Sequence, residues 1–208
     1  MAHIPDGVLA APVLVAGGIA SAALMTVALR RLADDQIPQA AVLAAVFFVA
    51  SLIHIPVGPT SVHPLLTGLM GLVLGWTAVP TIFVALLLQA VFFGFGGLVV
   101  LGVNVLNIAL PALLVRFAFA PLLRRAERPR TVFLAAAAAG GLAVVLTAGC
   151  VCLALALSGS AYMPALPVVA ASYGPLALVE AGITGAAVVL IRRVKPELLA
   201  SGVVVRGT

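Results

Sequence analysis

The chain has 208 residues, 64% of them apolar and only 8% charged, with a mean hydropathy of +1.30. Soluble domains carry about 25% charged residues, so this chain lacks the polar surface to face water, and its solvent is lipid. The net charge of +5 excludes a nucleic-acid partner less by its size than by its placement: the basic residues fall in short blocks, Arg30-Arg31, Arg124-Arg125 with Arg128 and Arg130, and Arg192-Arg193-Lys195 with Arg206, which are topology markers of a membrane protein.

The chain opens Met-Ala-His-Ile-Pro-Asp-Gly. No basic region precedes the first apolar stretch, so no cleavable signal peptide is expected, and the N-terminus reads as mature apart from removal of Met1. Seven apolar stretches follow, over about 8–29, 39–54, 64–78, 79–97, 98–122, 131–158 and 167–191. Helices of about 17–25 apolar residues cross a bilayer. The third stretch is short, and only Thr77-Ala78-Val79-Pro80 separates it from the fourth. With the N-terminus outside, ten of the eleven Lys and Arg fall in inside segments and none in an outside loop; Arg116, near the inner end of the fifth stretch, is placed to snorkel. The expected fold is therefore an all-α integral membrane protein. It is a single domain over 1–208, a bundle of about seven transmembrane helices, N-terminus outside and C-terminus in the cytoplasm. A tail (1–7) and an external loop (55–64) lie on the outer face, and a cytoplasmic tail covers 192–208.

That topology gathers the three histidines, His3, His54 and His63, on the outer face together with Asn104. His63 stands in the Pro/Gly loop 55-IPVGPTSVHP-64, whose prolines stiffen it. A terminal amine, one or two deprotonated backbone amides and an imidazole wrap a metal in fused chelate rings, and nitrogen donors suit Ni(II), Cu(II) and cobalt. If Met1 is kept, its amine, the Ala2 and His3 amides and the His3 ring fill four positions. If Met1 is removed, the Ala2 amine, the His3 amide and the His3 ring leave one position for His63. Pro5 holds Ile4 extended, and Asp6 either orients a histidine or caps the first helix. Cys150 and Cys152, in an apolar run, read as small packing residues.

Three segments, MAHIPDGVL, IPVGPTSVHPLLTGLMGLVLG and QAVFFGFGGLVVLGVNVLNIALPALL, resemble the CbiM/NikM substrate-binding (S) components of cobalt and nickel energy-coupling-factor (ECF) transporters. The similarity covers about the first 120 residues; the last two spans match only in hydropathy. The resemblance implies a seven-helix bundle whose N-terminus folds in from outside. It implies Co(II) or Ni(II) as cargo, held by the N-terminal amine, a backbone amide, His3 and His63. In the family pattern the histidine usually follows Met directly, so Ala2 is a departure that loss of Met1 would repair. Asn104 and Asn107, in GVNVLN, and the loop residues Thr60 and Ser61 are candidates to hydrogen-bond a ligand imidazole; the competing reading for the two asparagines is packing between helices. His54 has no clear family counterpart.

Glu180, the one acid deep in a predicted span, is a functional candidate by its position. Its expected role is structural or coupling, through a polar partner such as Gln89 or a neighbouring subunit. No phosphate-binding Gly-x-x-x-x-Gly-Lys-Ser/Thr, no His-Glu-x-x-His and no Gly-x-Ser-x-Gly occurs. The expectation is thus a non-catalytic subunit of the bacterial inner membrane. The resemblance implies as partners a transmembrane coupling protein, ATP-binding cassette ATPase subunits and often a small accessory membrane subunit. The alternative is a self-sufficient divalent-metal channel or secondary carrier.

Overall fold

The structure, a computed structural model, describes residues 3–53, 55–57 and 60–199, and of residues 55–57 and 60–62 the backbone alone. Seven α-helices occur among the described residues: α1 (Ala11–Leu29), α2 (Ile37–Ala50), α3 (Thr67–Leu74), α4 (Ala78–Phe93), α5 (Leu101–Arg125), α6 (Pro129–Ser158) and α7 (Leu166–Val194). Proline in the first turn starts α1, α2, α6 and α7, where its missing N–H is no loss and its fixed φ favours the helix. Pro111 and Pro121 stand inside α5 and Pro175 inside α7, as membrane helices tolerate when neighbours satisfy the freed carbonyls.

Among the described residues five segments are long and apolar enough to cross a membrane: Ala11–Leu29, Thr67–Phe93, Leu101–Arg125, Pro129–Ser158 and Ser160–Val194. The helix positions follow the hydropathy closely, but two of the seven expected crossings are shorter than a span. α2 has 14 residues, about 21 Å at 1.5 Å per residue against a core of about 30 Å. α3 has 8. The second segment is also not straight. Gly75 takes φ 61° and ψ −124°, and a single 3-10 turn, Gly75–Thr77, joins α3 to α4.

Contacts fix the course of that hairpin. α3 passes Ala112 of α5 at Gly71 and reaches Phe117 at Trp76, so it runs parallel to α5. α4 returns to Gly94 and Gly96, beside the start of α5, where Gly96 abuts Asn104. α3 is therefore a half-helix that begins inside the bundle. At Gly68 it lies so close to α6 that an added Cβ would stand 2.6 Å from the Cα of Gly140, and a Cβ on Gly140 would stand 2.6 Å from Thr184 Oγ1 of α7. Only glycines allow three backbones to meet there. The core of Leu65, Met70, Leu72, Ile82, Ile108, Ala139, Val144 and Leu176 surrounds this contact.

The basic blocks gather at the end opposite the tail. Arg31 lies 4.6 Å over the Trp76 ring, and Arg192 Nη1 donates to the Leu123 carbonyl at 2.9 Å, satisfying the last turn of α5. Cys150 and Cys152 are free and partly buried. The segment between α2 and α3 adds one feature to the all-α expectation: two three-residue strands, β1 (Ile55–Val57) and β2 (Thr60–Val62), pair antiparallel with Ile55 opposite Val62.

Candidate metal centre

The tail docks into a cradle built by the end of α4 and the start of α5. Helix α4 stops at Gly94, whose left-handed φ of 65° lets its N–H reach the Ala90 carbonyl at 3.1 Å while Phe95 N–H reaches Gln89 at 3.2 Å. The chain then runs through Gly96 and Gly97, both at positive φ. A side chain at Gly96 would press on Asn104 and His3, and one at Gly97 would occupy the place of the Asp6 carboxylate. Into this space the tail lays residues 3–6. Asp6 N–H donates to the Gly96 carbonyl at 3.1 Å. Asp6 Oδ1 accepts from Val100 N–H at 2.9 Å and Oδ2 from Val99 N–H at 3.4 Å, so the carboxylate sits on the N-terminus of α5, where orphan amides and the helix dipole favour negative charge. Of the two roles expected for Asp6, the structure shows a cap, but on α5 rather than α1. Helix α1 has no side-chain cap.

Asn104 clamps the next residue. Ile4 N–H donates to Asn104 Oδ1 at 3.1 Å, and Asn104 Nδ2 donates to the Ile4 carbonyl at 3.0 Å. This amide pairs with a backbone as a strand would, so its partner is the tail itself and not a ligand imidazole. Ile4 is buried against Val100, Val103, Val151 and Leu155. Filling that socket stabilises the docked tail by about 1.5–3 kcal/mol.

Held this way, His3 meets His63. Both are buried, at 5% and 2% exposure, with ring centroids 4.8 Å apart and planes tilted by 45°. With metal–nitrogen bonds of about 2.0–2.1 Å, two imidazoles on one ion have centroids about 3.2 Å from it, and a ligand angle near 100° separates them by about 4.8 Å. The spacing is compatible with two rings sharing a divalent ion, and it also lies within the ordinary range for two packed rings. Burial, and next the His63 ring, hold His3 well below the usual histidine range, at about 3, and the Gln89 side chain offsets only part of this. At neutral pH His3 is therefore neutral, the form that donates a lone pair to metal. His63 Nδ1 lies 3.1 Å from the Pro64 carbonyl; as the donor it leaves the lone pair on Nε2.

Sequence reasoning did not connect Gln89 with His3. The residue is fully buried in α4, and neither of its amide atoms completes a hydrogen bond of good geometry; the same holds for both His3 ring nitrogens and Asn107 Nδ2. Buried polar groups are rarely left so, and a polar occupant would resolve several of them at once. The signal was present in the chain, since Gln89 is a lone amide in an apolar helix. Gln89 does not pair with Glu180, whose Oε1 accepts instead from Leu65 and Leu66 N–H. Met1, Ala2 and His54 lie outside the described residues, as do the side chains of Thr60 and Ser61. Among the described residues no group of three or more His, Cys, Asp or Glu side chains comes together, so the site offers two imidazoles and draws any further donors from elsewhere.

Residues 3–198 match the family described as CbiM, cobalt uptake substrate-specific transmembrane region, which extends the likeness well past the first 120 residues. A Haemophilus influenzae protein provisionally named a metal transport protein is 36% identical over 198 residues, covering 95% of this chain and 96% of its own. The cobalt transport protein CbiM of Sorangium cellulosum is 32% identical over 76% of this chain and 73% of its own. The solved structure of a truncated transition metal transporter superposes with a TM-score of 0.72 at 25% identity, covering 92% of this chain and 98% of that one. The chain, a transmembrane component of cobalt or nickel uptake, belongs to the CbiM family.

Proposed function

We propose that the protein is the substrate-specific component of an ATP-driven ECF-type importer, capturing Co(II) or Ni(II) at the outer face of the bacterial inner membrane. The observation that carries this reading is the His3–His63 pair, 4.8 Å apart and buried, with one ring on the tail and the other in a loop. The remaining donors are backbone nitrogens: the amine of Met1 or Ala2 and the amide of His3, with the Ala2 amide added if Met1 is retained. The ring of His3 has no proton to lose at neutral pH, so binding displaces protons from the amine and amide instead. Asp6 and Asn104 hold the tail, and Asn107, Thr60 and Ser61 are the remaining polar groups assigned to the surroundings of the ion. The basic blocks at the far end support a cytoplasmic position for that end, where a coupling protein, a pair of ATPases and often a small membrane subunit would engage it.

The self-sufficient channel or carrier fits less well. Four polar side chains were available to thread a path, and two of them, Asn104 and Glu180, are engaged with backbone. Calorimetry with Ni(II) and with Co(II) on the purified chain with an untagged N-terminus, with intact mass on the same sample, tests the reading. Tight binding, lost when the amine is acetylated or extended, is expected. Undiminished affinity in the acetylated protein would remove the amine from the site. In cells, uptake that needs co-produced coupling and ATPase subunits is expected; uptake by this chain alone would favour the carrier.

A further inference from the structure

Glu180 is fully buried midway along α7, in a bundle where an intramembrane carboxylate needs a reason. Its Oε1 accepts from Leu65 N–H at 2.6 Å and from Leu66 N–H at 2.8 Å. These amides introduce the half-helix α3, and Leu66 has the left-handed φ of 51°. A helix that starts inside the bundle leaves its first N–H groups without partners, and apolar surroundings make that costly. One carboxylate from α7 takes the amides of the two residues that lead into it, Leu66 at the N-cap and Leu65 before it, and β2 packs on α7.

The bond to Leu65 reaches further than α3. The Leu65 N–H and the Pro64 carbonyl belong to one planar peptide unit. That carbonyl is the partner of His63 Nδ1, at 3.1 Å. Fixing the N–H fixes the plane, and the plane aims the carbonyl that sets the tautomer and tilt of the imidazole. We propose that Glu180 is a positioning residue for His63: by holding the Pro64–Leu65 peptide plane it presents Nε2 of His63 to the ion. The proposal rests on the metal-site reading above. It assigns Glu180 no contact with the metal.

The test is Ni(II) affinity of the full chain in detergent for Glu180→Ala, Glu180→Asp, Glu180→Gln, His63→Ala and the double variant His63→Ala/Glu180→Ala, with the Ni(II) ligand-field spectrum of each. Loss of such a supporting hydrogen bond weakens metal sites by about 10–100-fold. That loss is expected for Glu180→Ala, and for Glu180→Asp, whose carboxylate is drawn back by one methylene. Glu180→Gln, which keeps an acceptor oxygen, should stay close to the unsubstituted chain. In the His63→Ala background Glu180→Ala should cause no further loss, and its spectrum should match that of His63→Ala. Should Glu180→Ala fail to fold, Glu180→Asp carries the same expectations. Losses that multiply in the double variant, or Glu180→Gln as weak as Glu180→Ala, would overturn the positioning role alone. No Ni(II) binding by the unsubstituted chain would overturn the metal site itself, and this inference with it.

Discussion

The two histidines of the site are held in opposite ways. His3 belongs to a tail whose described residues form no helix or strand, and the tail is held by its neighbours: the Asp6 carboxylate on the Val99 and Val100 amides, the Asn104 clamp on Ile4, and the Ile4 socket of α5 and α6. His63 follows a strand pairing and precedes a helix, and its ring lies against the Pro64 carbonyl, in the peptide unit whose N–H meets a carboxylate of α7. The first arm is an irregular segment docked on the bundle; the second is continuous with its strand pair and helices.

Substitution sharpens this contrast. Structural metal sites are worth about 10–16 kcal/mol over four donors, so each lost donor weakens binding by roughly 10²–10³-fold. His3→Ala and His63→Ala are each expected to do so in Ni(II) calorimetry; an effect confined to one of them would reduce the site to a single arm. Asp6→Ala removes two hydrogen bonds to a charged acceptor, about 1.5–3 kcal/mol, and should weaken metal binding by about 10–100-fold through the tail alone, leaving the melting of the bundle unchanged. A matching fall in thermal stability would show that the tail is part of the core. Asn104→Ala, which loses two neutral bonds of about 0.5–1 kcal/mol each, should have a smaller effect, about tenfold, read the same way.

Acidification should open the same arm. The docked His3 has its pKa depressed to about 3, whereas a free tail histidine titrates near 6.5. The undocked state therefore binds more protons between these values, and docking is fully favourable above about pH 6.5 and weakens by about tenfold per unit as pH falls toward 3. Hydrogen exchange at the Ile4 amide, corrected for the intrinsic rate, should lose protection over that window; a flat profile would place a proton-accepting partner beside His3. The smallest effect is expected at the third histidine: His54→Ala should leave Ni(II) affinity nearly unchanged, and a loss equal to that of His63→Ala would undo the choice between the loop histidines.

Much of this was legible in the chain because apolar runs report solvent. The seven helices lie within a few residues of the apolar stretches, and the tail, His3 and His63 stood out as polar groups beside them. What the runs do not report is depth. Residues 64–97 are almost uniformly apolar whether they face lipid or protein, so nothing local distinguished the eight-residue α3 from a full crossing; Gly68, packed on Gly140, is a tertiary fact. Asp6, Asn104 and Glu180 were singled out and given other partners than the structure shows, for the same reason. Asp6 meets amides 93 and 94 positions away, Asn104 meets a backbone 100 away, and Glu180 reaches 114 and 115. Such pairings depend on how the bundle closes, which side-chain chemistry alone leaves open.

In the proposed site one ion bridges the tail and the loop. X-ray absorption at the nickel or cobalt edge of the loaded, untagged protein tests it most directly, because imidazole rings scatter in a way that allows them to be counted. An all-nitrogen sphere with two imidazoles, falling to one in His63→Ala and in His3→Ala, is the predicted result. A sphere of oxygen donors, or one whose imidazole count is unchanged by either substitution, would contradict it.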